Sequence, residues 1–125
     1  MKLTQDQWDE MYGQIEPPEV RRAFCFIISW FCLRGHLTIE PNIGSVRTDV
    51  HFGFDDGRRP YALIRNKSSL LWYFRKPCLD DLIPSNVILG AFPDAQTNNK
   101  GEVTLRINGE READHLVRWI AQVGG

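Results

Sequence analysis

A chain of 125 residues with 42% hydrophobic and 11% aromatic content has the size of one globular domain, and its seven Phe, four Trp and three Tyr can fill a core without a disulfide framework. A formal charge of −1 excludes the strongly basic balance on which non-specific binding to a phosphate backbone depends. The three cysteines lack CxxC or metal-ligand spacing. They read as reduced thiols of a cytoplasmic protein, with Cys25 and Cys32 expected as small buried hydrophobes.

The opening residues MKLTQDQWDE lack the apolar stretch of a signal peptide, which argues against export by that route. Thr4-Gln5-Asp6-Gln7 fits a capping box. Trp8, Met11, Tyr12 and Ile15 then recur at the spacing of one helical face. A second helix is expected from Pro18 to Arg34, opened by a proline tolerated in the first turn and stopped by Gly35. It is apolar nearly all round, so it should lie between a sheet and a second layer, the first helix. Its apolar run, Ala23–Leu33, is far shorter than the roughly 20 residues of a membrane span, and no membrane segment is expected.

From His36 the period changes to two. Leu37 and Ile39 alternate with polar neighbours, and Pro41-Asn42-Ile43-Gly44 reads as a turn. Thr48, Val50, Phe52 and Phe54 then alternate with Arg47, Asp49, His51 and Gly53, which predicts a strand with one core face and one wet face. Asp55-Asp56-Gly57 turns the chain back into Tyr61–Arg65. Leu70–Phe74, LLWYF, is apolar at both parities, as in a central strand. A two-residue loop at Lys67-Ser68 would put Tyr61 and Leu63 on one face with Leu70, Trp72 and Phe74, beneath the long helix. Between Cys78 and Phe92 a single short helix is expected, Ser85–Leu89 with Ser85 as its cap. Residues 93–101, PDAQTNNKG, read as loop. Val103, Leu105 and Ile107 mark a further strand, and Ala113, Leu116, Val117, Ile120 and Ala121 a last helix. The expected fold is α+β, a single domain in the order α-α-β-β-β-β-(α)-β-α. Its antiparallel sheet of four to five strands is covered by two N-terminal helices and a C-terminal helix.

Chemistry-bearing motifs are sparse. There is no GKS or GKT phosphate loop, and a cysteine in mid-helix is a poor nucleophile because apolar surroundings raise its pKa. Among the histidines, His51 has a carboxylate at a same-face strand position, Asp49. The pair could orient an imidazole for general-base work, but no third partner completes a metal or nuclease site. The stronger candidate is a surface on the polar sheet face and its basic edges: Arg47, His51, Arg58, Arg59, Arg65, Lys67, Tyr73, Arg75 and Arg106. Arginine and tyrosine combine apolar contact with directed hydrogen bonds, which suits interface hot spots. These features point to a non-enzymatic, cofactor-free binding protein that recognises a partner protein through this edge or the polar loop. The size and charge balance match those of immunity-type proteins and inhibitors in conflicts between phage and bacteria, an analogy without sequence likeness. A DNA- or RNA-recognition module using Arg58, Arg59, Arg65, Tyr73 and Arg75 is the alternative, and an enzyme centred on Asp49 and His51 comes third.

Overall fold

Pro18 opens helix α1 (Pro18–Arg34), Glu19 lies in its first turn and Arg34 in its last, both matched to the helix dipole. Gly35, at φ 72°, supplies the left-handed residue that ends it, and its N–H donates to the Phe31 carbonyl. A computed structural model describes residues 15–35, 37–43, 48–65 and 68–123 together with positions 4, 6, 9, 12 and 13. The expected first helix lies mostly outside the described residues, although Asp6, Asp9, Tyr12 and Gly13 are helical. Its capping box and the stripe positions Trp8 and Met11 fall outside them.

Six strands follow α1 and form one antiparallel sheet in the order β1-β2-β3-β4-β6-β5. They are β1 (Thr38–Ile43), β2 (Thr48–Gly53), β3 (Tyr61–Arg65), β4 (Leu70–Phe74), β5 (Gln96–Thr97) and β6 (Val103–Ile107). Helices α2 (Lys76–Asp81) and α3 (Ser85–Ala91) connect β4 to β5, and α4 (Glu110–Val123) closes the chain. The α+β class and the antiparallel sheet are therefore as expected, with one strand more than the largest count read from the sequence. The central hairpin has the expected register, since Tyr61 pairs with Phe74, Leu63 with Trp72 and Arg65 with Leu70.

That register gathers the bulk on one face. Phe31 of α1 stacks on Trp72 with centroids 5.8 Å apart, Phe52 lies 5.2 Å and Tyr61 5.4 Å from the same indole. Phe74 meets Tyr61 and, edge-on at 6.2 Å, Trp119 of α4. Val20, Ala23, Phe24, Ile27, Ile28 and Phe31 of α1 and Ala113, Leu116, Val117 and Ile120 of α4 are all buried. Each of the larger apolar side chains contributes about 1.5–3 kcal/mol on burial. Both helices cover the same sheet face, which leaves the opposite face to carry a site.

Several expectations change. Cys25 and Cys32 are exposed, because the buried stripe of α1 runs along its other side; Cys78 alone is buried. The turn expected at Pro41-Asn42-Ile43-Gly44 is strand as far as Ile43, since β1 is an edge strand and tolerates a proline there. The one short helix expected before β5 is two. Pro77 seeds the extra one in its first turn, and Ser85 is a helical residue of α3 whose cap position is held by Pro84. No helix among the described residues is long and apolar enough to cross a membrane.

A polar cavity on the open face of the sheet

The open face is built by the side-chain parity opposite to Trp72. His51 pairs with Ala62, Ala62 with Tyr73 and Tyr73 with Thr104, so these four residues form one row across β2, β3, β4 and β6. Ala62 is the small member, and the space it leaves between His51 and Tyr73 is the floor of a cavity of about 320 Å³. Asp49 and Ile64 extend the floor, and Arg75, Asn98, Asn99, Lys100 and Glu102 form the wall. A larger apolar hollow of about 480 Å³ runs along α1 beside Tyr12, Cys25 and Cys32, bordering the partly described N-terminal segment. It carries little polar chemistry.

The wall is tied down by one side chain. The Oδ1 atom of Asn98 accepts hydrogen bonds from the Lys100 and Glu102 backbone N–H groups at 3.0 and 2.9 Å. Its Nδ2 donates to Glu102 Oε1 at 3.1 Å. Glu102 then reaches across to Arg75, its Oε2 3.5 Å from Nε. Arg75 also donates from Nη1 to the Arg59 carbonyl at 3.0 Å, joining the loop to the start of β3. Gly101, at φ 79°, makes the turn possible and leaves room for the Lys76 ammonium, which a side chain there would meet at 2.7 Å.

Asp49 was expected on a wet face and is instead only 3% exposed, with Oδ2 3.5 Å from His51 Nε2. Burial lowers the His51 pKa from its ordinary value; the Asp49 carboxylate opposes that, and the Arg75 and Arg59 guanidiniums add to it. Burial thus favours the uncharged form of the His51 imidazole, whose Nδ1 is buried without a hydrogen-bond partner among the described residues. A neutral imidazole 3.5 Å from a carboxylate can be oriented by it. The described residues in the cavity wall include no serine, threonine or cysteine for it to activate.

Of the residues singled out in the sequence, the cavity brings together His51, Tyr73 and Arg75. Arg58 and Arg59 stand at the same end of the sheet, on the turn before β3. Arg58 pairs with Asp56 at 2.8 Å and Asp81 at 3.0 Å, and Arg59 with Glu40 at 2.7 Å. Arg106 lies toward the far end, where Nη1 donates to the Ser69 hydroxyl at 2.6 Å. Arg65 is half-buried, at the end of β3 and at the parity of Tyr61 and Leu63, away from the cavity's row. Arg47 and Lys67 lie outside the described residues. The basic residues thus divide between two ends of the sheet. The sequence reading offered the polar loop of residues 93–101 as an alternative recognition element but singled out none of Asn98, Asn99, Lys100 and Glu102 as a site residue. The signal for them was Asn98 with Gly101 between strand-like flanks, an Asx-turn pattern.

Comparisons with models of protein families, with curated proteins and with solved structures returned no match.

Proposed function

We propose that this chain is a non-enzymatic binding protein of the cytoplasm that recognises a partner protein through the open sheet face, at the end where Arg58, Arg59, Tyr73 and Arg75 meet the loop of residues 98–102. An inhibitor-type or immunity-type role is the setting we favour. The observation that carries the reading is that the three arginines at this end each sit beside a carboxylate, Asp56 and Asp81, Glu40, and Glu102 respectively. Guanidiniums held in this way offer fixed donors without a surplus of positive charge. Protein interfaces use that combination together with aromatic contact. Phosphate backbones instead reward clustered, uncompensated cations.

The test is capture from a lysate of the source cells by the wild-type chain and by an Arg58→Glu, Arg59→Glu, Arg75→Ala variant whose circular dichroism matches wild type. A protein retained by the first, lost by the second and unaffected by nuclease is expected, with a shallow salt dependence seated mostly in the association rate. Loss of capture on nuclease treatment would overturn the reading in favour of the nucleic-acid alternative. So would oligonucleotide binding with a log–log salt slope near −0.7 to −0.9 per phosphate.

A further inference from the structure

Four polar groups line the cavity without a protein partner among the described residues: the Lys100 ammonium, the Tyr73 hydroxyl, the Asn99 carboxamide and the buried His51 Nδ1. Three of the four can donate, and the one formal charge among them is positive. The acidic residues of the wall differ. Glu102 is engaged by Arg75 and Asn98, and Asp49 lies against His51.

We propose that the cavity is a receptor for a single carboxylate, the side chain of an Asp or Glu on the partner protein. This rests on the reading of the open face as a partner surface and names what that partner presents. A carboxylate would exchange water for a charge-assisted contact with Lys100 and neutral donors from Tyr73 and Asn99. A volume of about 320 Å³ admits such a side chain with its ordered water. A phosphate dianion fits less well, because Lys100, the cation of the described wall that Glu102 does not engage, can balance one negative charge and not two. A cationic group would meet Lys100 and Arg75.

The experiment is an NMR titration of the full-length purified protein, reading the His51 imidazole, the Tyr73 ring and the Asn99 and Gly101 amides. The probes are N-acetyl-glutamate amide, its neutral isostere N-acetyl-glutamine amide, N-acetyl-alanine with its terminal carboxylate, and inorganic phosphate. Saturable shifts at all four positions are expected with the glutamate compound, with a Kd on the order of millimolar. The glutamine compound should produce none. Lys100→Gln together with Tyr73→Phe should weaken binding about tenfold while leaving the unfolding midpoint in place. Should the pair perturb the fold, Lys100→Gln alone, at an exposed loop position, should weaken it by several-fold. An equal response to the glutamine compound, tighter binding of phosphate or N-acetyl-alanine, or no saturable shift overturns the proposal. Because no partner is present, the result is independent of the capture experiment. A lost capture with an intact titration indicts the partner reading, and the converse indicts the carboxylate.

Discussion

Single residues on α1 reverse what composition implies about them. Cys25 and Cys32, seven positions apart, share the side of the helix turned away from Val20, Phe24, Ile27 and Phe31, and both thiols are exposed. Cys78 is fully buried beside Tyr61, and burial pushes its pKa up to about 11, against the hydrogen bonds from Ile83 and Tyr61 that lower it. Since the thiolate is the reactive form, folded protein at pH 8 should label at Cys25 and Cys32 and spare Cys78 until it unfolds. Mass spectrometry of the labelled peptides checks this, and equal rates at all three cysteines would place Cys78 elsewhere. Hydrophobic type alone could not distinguish the two sides of α1, because Cys25, Phe26, Cys32 and Leu33 make the helix apolar all round. The side that faces the sheet is decided by the aromatic cluster of Trp72, Phe52 and Tyr61 with which Phe31 stacks.

Among the elements, the β5–β6 hairpin is held by a side chain more than by its ladder, for β5 has two residues and Asn98 supplies three hydrogen bonds across the turn. Asn98→Ala should lower stability by about 0.5–1.5 kcal/mol, the range for a hydrogen bond whose partners water can still reach. It should also speed amide exchange at Lys100 and Glu102 and release Glu102 from its place beside Arg75. Denaturant unfolding with hydrogen exchange measures both, and unchanged exchange at those amides would mean that the turn holds without Asn98. A device of this kind explains what the sequence conceals. β3 and β4 are legible because, of the registers open to five consecutive bulky residues, one buries Leu70, Trp72 and Phe74 together with Tyr61 and Leu63. β5 is illegible because Gln96 and Thr97 carry no apolar pattern, and their pairing is secured by a contact two residues later. Helix α2 is concealed for a related reason, since Arg75-Lys76-Pro77 resembles the charged end of a strand while Pro77 serves as a helix start. The cavity shared this fate: the sequence carried His51, Tyr73 and Arg75, but the wall came from a segment without periodicity.

At the scale of the whole molecule, stability depends on one layer, the apolar face of the sheet against α1 and α4, because the other face carries the polar cavity. Phe74 lies in that layer with no exposed surface, between Tyr61, Trp72 and Trp119. Phe74→Ala should cost ~3–5 kcal/mol, a large part of the ~5–15 kcal/mol that holds a domain of this size together. An unfolding midpoint equal to wild type would remove Phe74 from the centre of the layer. The two borders of the sheet also differ in what they permit. A foreign strand that tried to lengthen the ladder along β1 would need a row of backbone donors, and Pro41 interrupts that row in mid-strand. Growth of copies edge to edge into a fibril would therefore lose its regular repeat at Pro41, so the proline that obscured β1 in the sequence also protects the folded chain against polymerisation.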